Sequence, residues 1–227
     1  MENLILLPIP SFKGSDTVKG TVVSASDIVS AVKKGDAVAG YALPKEFRRE
    51  LSMKGVTAVD VERDEEFLLD NAHLTAVGTV GKLLVEHTRA PLDLSVGVIG
   101  YGRIGERLVS ALAYFLSSVT VFTSKVELSH ELCMLGISGV PYAALSEQSA
   151  QRKLSELDVL INTAPARLIP DEAREYLSGV RLIELASGDN FPDGVYYERF
   201  SSVPAEAYPE SAGIALAKSI LRMTGEL

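Results

Sequence analysis

Residues 95–105 read SVGVIGYGRIG. A short apolar run ends in Gly100-Tyr101-Gly102-Arg103-Ile104-Gly105, and Ile104, Leu108, Leu112 and Phe115 then recur at helical spacing. Strand, glycine turn and amphipathic helix in immediate succession are the signature of a dinucleotide-binding βαβ unit. Each glycine has its own task there. Gly100 makes the tight turn. Gly102 has no Cβ, so the backbone can approach a pyrophosphate. Gly105 lets the helix pack closely on the strand. The first helical turn, at Arg103 and Ile104, then offers unpaired N–H groups and the positive end of the helix dipole to the phosphates. Such a glycine pattern is weak by itself, but a second strand is due about 20 residues on, and Val119-Thr120-Val121-Phe122 stands there.

The end of that second strand bears on the cofactor. NAD-selective sites place Asp or Glu there, on the ribose 2′-hydroxyl. This chain has Thr123-Ser124-Lys125 instead, with Glu127 two residues later inside the next expected helix. Two hydroxyls and an ammonium can hydrogen-bond a 2′-phosphate and pair with its charge. The expected cofactor is NADP, with NAD as the alternative. In the competing explanation Ser124 only caps the following helix.

The rest of the chain is read around this unit. With 47% hydrophobic and 23% charged residues, the 227-residue chain has the composition of an ordinary globular protein. A net charge of −8 without a basic cluster argues against a nucleic-acid surface. The single cysteine, Cys133, leaves no intramolecular disulfide or multi-cysteine metal site, and its apolar neighbours suggest a buried thiol. The opening MENLILLPIPSF lacks a basic n-region and a long apolar segment, and no run reaches the ~18 apolar residues of a membrane span. A soluble, cytoplasmic protein with no bound metal is expected.

Residues 4–9, 37–41 and 57–61 read as strands. Helices alternate with them, one capped by Ser26 and running to Val32, and one with Pro44 at its first position and running to Met53. A helix is expected over 75–88, with Leu74, Gly78, Gly81 and Val85 along one face. Gly78 and Gly81 cost about 1 kcal/mol each relative to alanine, which suggests close packing on another backbone. Later strands are expected at 158–162 (DVLIN) and 181–185 (RLIEL), and a final helix from Pro209 to about Met223 with Ile214, Ala217 and Leu221 on its apolar side. The fold class is therefore α/β: a Rossmann-like doubly wound parallel sheet over 89–208, with a second, smaller α/β domain over 1–88 on the substrate side. Residues 209–227 are expected to return to that smaller domain.

In open α/β sheets ligands bind beyond the carboxyl ends of the strands. Asn162-Thr163-Ala164-Pro165 follows one such end and Ala186-Ser187-Gly188-Asp189-Asn190 the next. Asn162 and Thr163 could hydrogen-bond a nicotinamide ribose, and Ser187 the carboxamide or a substrate. Both segments are also ordinary turn sequences. Asn71, Thr75, Arg167 and Ser187 are the candidate substrate contacts. His73, Ser187 and Ser211 are the candidates for catalysis, with no general acid or base assigned. His73, His87 and His130 are not spaced as a metal pair.

With these segments in place, the chain resembles the A-subunit family of dipicolinate synthase, from spore-forming bacteria, whose cofactor domain is itself similar to that of 2-hydroxy-acid dehydrogenases. The likeness is carried by LLPIP near the start, Asn71-Ala72 with Thr75-Ala76 and Gly78, VIGYGRIG, INTAPA, ELAS and Pro209-Glu210-Ser211-Ala212-Gly213. It implies a Rossmann domain joined to a smaller, flavodoxin-like α/β domain, here truncated relative to the family. It also implies NADP-linked oxidation of a dihydrodipicolinate-type precursor and, as partner, a flavoprotein-like second subunit; a homo-oligomer is expected besides. The chain departs from the family pattern where TAEG becomes Thr75-Ala76-Val77-Gly78, where ASKPGG becomes Ala186-Ser187-Gly188-Asp189-Asn190-Phe191, and where PKTAG becomes PESAG. Two lysines are lost, and Asp189 and Glu210 stand in those segments. The candidate cleft, with Asn71, His73, Thr75, Ser187, Asp189, Glu210 and Ser211, is then poor in cations, and Arg167 is one of few groups left to hold a substrate carboxylate. Weak dipicolinate binding is expected. A dinucleotide-binding sensor or structural partner, or a dehydrogenase for another small substrate, are the alternatives to the synthase reading.

Overall fold

The computed structural model describes residues 2–14, 16–116 and 118–225. The chain begins with β1 (Leu4–Leu6), β2 (Phe12–Lys13), β3 (Thr17–Val18), α1 (Ala25–Ala31), β4 (Ala37–Gly40), α2 (Lys45–Met53), β5 (Thr57–Asp60) and the long α3 (Glu65–Glu86). It continues through β6 (Ser95–Ile99), α4 (Arg103–Phe115), β7 (Ser118–Thr123), α5 (Val126–Met134), β8 (Ser138–Pro141), α6 (Gln148–Ser155) and β9 (Val159–Asn162). It ends with β10 (Arg181–Glu184), β11 (Glu198–Arg199), α7 (Val203–Ala207) and α8 (Pro209–Thr224). No helix of the described residues is long and apolar enough to cross a membrane.

The residues gather into two compact units, 1–71 with 209–227, and 72–208. The passage between them falls within α3 rather than at the expected residue 88. The reason is packing: Phe67 belongs to the core of the first unit, whereas Ala76, Val80 and Leu83 belong to that of the second.

The first unit holds a parallel sheet in the order β1-β4-β5. Its α1 is capped by Ser24, not Ser26. Ser24 Oγ accepts the Asp27 N–H at 3.1 Å while Asp27 accepts the Ser24 N–H at 2.8 Å. Asp27 lies three residues after Ser24, the spacing at which the two satisfy each other's backbone. Pro44 stands one place outside α2. On α8 the buried side is Ala215, Ser219 and Ile220; Ile214, Ala217 and Leu221 are exposed, the reverse of the expectation. This helix is apolar on more than one side, so its periodicity does not choose a face. The core of Ala39, Val59, Val61 and Phe67 does.

The second unit is built on a six-stranded sheet in the order β11-β10-β9-β6-β7-β8 with every neighbouring pair parallel. This is the doubly wound order, with its reversal between β6 and β9. Its strands are apolar on both faces because both are covered. Val96, Val98, Leu108, Leu112 and Ile161 pack on one side and Ile99, Phe122, Leu154, Leu160 and Leu182 on the other. Phe115 ends α4 half out of the core, 48% exposed. Cys133 is exposed, not buried: Leu132, its neighbour on α5, takes the inward position at 1% exposure.

Within this unit the buried stripe of α3 is Ala72, Ala76, Val80 and Leu83, with Thr75 and Thr79, while Val85 is exposed. The buried face is therefore displaced around the helix from the expected one. Gly78 is a close approach: a Cβ there would lie 2.7 Å from Val203 Cγ1 and 3.1 Å from Ala207 Cβ. The contact is with side chains of α7, not with backbone. Gly81 has room, its nearest neighbour being Tyr208 Oη at 3.9 Å.

Candidate functional site

The switch point of the six-stranded sheet is where the glycine turn sits. Gly100 has φ +97°, a conformation L side chains rarely adopt, and a Cβ there would lie 2.6 Å from Thr163 Oγ1 and 3.2 Å from the Ala164 nitrogen. A Cβ on Gly105 would lie 2.3 Å from the Gly100 carbonyl oxygen. Gly102 is the contrary case. It caps α4 with φ −93°, and a Cβ built there meets nothing within 4 Å. The first helical bond of α4 runs from the Glu106 N–H to the Gly102 carbonyl at 2.9 Å, so the N–H groups of the preceding turn come before the helix's own bonding begins, next to Gly102. Open space, donors and a helix dipole at the switch point fit a pyrophosphate.

At the end of β7, Thr123 is 2% exposed and its hydroxyl accepts the Lys125 N–H at 3.2 Å. That hydroxyl belongs to the turn. Ser124 and Lys125 are both exposed, and Lys125 rather than Ser124 occupies the cap position of α5, without a side-chain bond.

The loop after β9 braces the glycine turn. Thr163 donates both its N–H and its hydroxyl to the Ile99 carbonyl, each at 2.8 Å. Asn162 is 2% exposed; its amide donates to the Ala164 carbonyl at 2.9 Å and to Glu184 Oε1 at 2.8 Å, and its oxygen accepts the Ala164 N–H at 3.2 Å. The side chains of Asn162 and Thr163, expected to reach for a ribose, are thus held by the protein. Ala164 is half-buried and Pro165 exposed in the same loop. Arg167 is not a waiting cation either. It forms ion pairs with Asp171 and, at 3.2 Å, with Asp193. Asp171 lies four residues on, and Asp193 arrives from the segment before β11, which only the folded chain brings near.

The loop after β10 rests on two residues that sequence reasoning passed over. Arg199 on β11 donates to the Ala186 carbonyl at 3.0 Å and the Gly188 carbonyl at 2.6 Å, and pairs with Asp189 at 2.9 Å. Asp189 also accepts the Tyr197 hydroxyl, which holds its carboxyl below the usual range. Glu184 ends β10 and is fully buried. Its Oε1 accepts both the Asn162 amide and, at 2.9 Å, the Ala186 N–H. Its Oε2 is buried without a hydrogen-bond partner. A signal for Glu184 existed: a carboxylate inside an apolar run read as a central strand must be buried. None existed for Arg199, whose two-residue strand has no pattern.

Burial pushes the Glu184 carboxyl above the ordinary glutamate range; its contacts with Asn162, Ala186 and Asn190 and the charge of Arg199 pull the other way without cancelling the shift. The native protein then holds a proton that the unfolded chain has released, so this residue's contribution to stability falls as pH rises from the ordinary glutamate range through the raised value. Glu184→Gln removes that dependence. Melting temperatures of the variant and parent, compared between pH 4 and 8, are expected to diverge in the variant's favour as pH rises. A constant difference would show that Glu184 titrates normally.

The other sequence candidates fall in both units. Asn71 and Ser211 belong to the first unit, Ser211 being exposed. In the second unit His73 and Ser187 are exposed and Thr75 is buried on α3. Among the described residues no group of His, Cys, Asp and Glu could hold a metal.

These features define an α/β protein of Rossmann type. No protein-family model matches the sequence, and no curated protein matches it. Solved structures do match its fold. The A-subunit of dipicolinate synthase from Bacillus halodurans superposes with a TM-score of 0.77 at 20% identity, over 97% of this chain and 78% of that one. The corresponding chain of dipicolinate synthase from Bacillus subtilis gives 0.76 at 16% identity, over 98% and 78%. A transhydrogenase from Sinorhizobium meliloti gives 0.65 at 18% identity, over 86% and 69%. At these identities the likeness is one of fold, and it extends over nearly the whole chain.

Proposed function

We propose that this protein is an oxidoreductase that binds a nicotinamide dinucleotide at the Gly100–Gly105 turn and acts on a small molecule. The observation that carries this reading is the open space above Gly102, at the N-terminus of α4 and the reversal of strand order. The dipicolinate synthase and transhydrogenase folds support it. Gly102 and the N–H groups of the first turn of α4 would hold the pyrophosphate. The loops after β9 and β10 would face the nicotinamide half, through backbone groups and Ser187 rather than through the engaged side chains of Asn162 and Thr163. When bound, the cofactor supplies a ring carbon that accepts or returns hydride.

Charge decides the substrate class. A pyridine dicarboxylate wants two cations, and Arg167 and Arg199 are each already paired with aspartate. Those pairs are solvent-exposed, so breaking one costs only about 1 kcal/mol or less; what disfavours a dianion is the aspartate that stays beside each guanidinium. The reading that fits is a dehydrogenase for a less anionic substrate than the dihydrodipicolinate precursor. Calorimetric titration with NADP, NAD and dipicolinate in turn tests both parts. Saturable binding of a dinucleotide with little or none of dipicolinate is the expected result. Tight dipicolinate binding, lost in Arg167→Ala, would restore the synthase substrate.

NADP preference rests on Ser124 and Lys125, both exposed and with no carboxylate at the strand end. Lys125→Ala should weaken NADP roughly tenfold, the weight of one charge-assisted contact, and leave NAD nearly unchanged. The two cofactors are compared at one ionic strength because salt screens an exposed lysine. Equal losses for both would remove the argument.

A further inference from the structure

We propose that Glu184 is a positioning residue for the nicotinamide half of the bound dinucleotide, joining the loop after β9 to the loop after β10 through one carboxyl oxygen. The inference rests on the cofactor reading above and deepens it.

The register of the sheet sets Ile99, Asn162, Glu184 and Arg199 side by side across β6, β9, β10 and β11. Paired residues of neighbouring strands send their side chains to the same face, so Asn162 and Glu184 meet at the carboxyl edge of the sheet. There Glu184 Oε1 takes two donors at once: Asn162 Nδ2, which also holds the Ala164 carbonyl, and the Ala186 N–H. The first donor belongs to the loop that braces the glycine turn through Thr163. The second opens the loop that Arg199 pins at Ala186 and Gly188. Both loops follow strand ends, where ligands of such sheets bind.

A loop tie needs only one acceptor atom. A glutamate carboxyl brings a second oxygen, and here that oxygen is buried without a hydrogen bond, the nearby Asn190 amide donating to the Ser187 carbonyl at 2.9 Å instead, an arrangement that costs free energy. The cost falls at the ligand end of the sheet. Arg199 is the charged group that faces the carboxyl from the neighbouring strand, and it is itself engaged by Asp189.

The test separates the two halves of the cofactor. NADP and ADP are titrated into the parent, Glu184→Ala, Asn162→Ala, the double variant and Glu184→Gln, with a thermal melt of each. Glu184→Ala should weaken NADP about tenfold, the weight of one or two hydrogen bonds, and leave ADP unchanged, because ADP needs only the glycine turn. The double variant should bind NADP no more weakly than Glu184→Ala, since both substitutions remove one connection. Glu184→Gln keeps the shared acceptor and should recover most of the loss. If Glu184→Ala does not fold, Asn162→Ala alone should still weaken NADP and spare ADP. Unchanged NADP affinity in the alanine variants, or an equal loss for ADP, would overturn the inference while leaving the cofactor reading intact. A parent that binds neither nucleotide would overturn the cofactor reading itself.

Discussion

Gly102→Val is expected to abolish tight dinucleotide binding while leaving the melting temperature almost unchanged. A Cβ at this position meets no protein atom within 4 Å, and the residue's φ of −93° is open to any side chain. The folded protein therefore has open space where the side chain begins. A pyrophosphate resting on the N-terminus of α4 does not share that room. Two lost charge-assisted hydrogen bonds at 1.5–3 kcal/mol each amount to about 3 kcal/mol or more, on the order of a 100-fold loss in affinity. The variant and parent are compared by titration with NADP and by thermal melting. Parental affinity in the variant would remove the assignment of this turn to the cofactor. A large fall in melting temperature would show that Gly102 serves the fold.

Gly105→Ala is expected to do the opposite. The added Cβ would lie 2.3 Å from the Gly100 carbonyl oxygen, 2.9 Å from its carbon and 3.0 Å from Thr163 Oγ1. Two of these atoms are backbone, in a turn whose Gly100 already sits at φ +97°. Neither can move aside as a flexible side chain would. Overpacking of a tight core commonly costs 1–3 kcal/mol, and a clash with backbone belongs at the upper end, about 3 kcal/mol. In a protein of this size that lowers the melting temperature by roughly 6–12 °C. Nucleotide affinity should also fall, because the displaced turn no longer presents its N–H groups. A variant as stable as the parent would mean that α4 can slide away from β6 without penalty. The two glycines occupy one motif three residues apart, yet one leaves space for a ligand and the other lets the chain touch itself.

The doubly wound unit was legible because its signals are local. A glycine turn between an apolar strand and an amphipathic helix, a second strand twenty residues later, and the apolar runs at 158–162 and 181–185 each depend on residues close in sequence. Capping and helix faces were less legible. Ser24 and Ser26 are chemically equivalent caps, and only the reach of Asp27 back to the Ser24 N–H selects the first. On α3 and α8 apolar residues occupy more than one side, so what each helix packs against chose the face, and it chose Ala76, Val80 and Leu83 on one and Ala215 and Ile220 on the other.

The sequence by itself determined that a strand, a glycine turn and a helix would follow one another in the form that suits a dinucleotide phosphate, because glycine's missing Cβ and the helix dipole are properties of the local chain. It also determined the absence of a carboxylate at the end of β7, on which the NADP preference rests. Tertiary structure decided the long-range charge partners around the site. Arg167, beside Asp171 in sequence, gained Asp193 from 26 residues away, and Asp189 looked free until β11 laid Arg199 beside it. Glu184 became the link between two loops only when β9 and β10 aligned in register. Hydrogen bonds and ion pairs act over a few ångströms in space, so their partners are set by which strands neighbour one another, and that order is not written in any single segment.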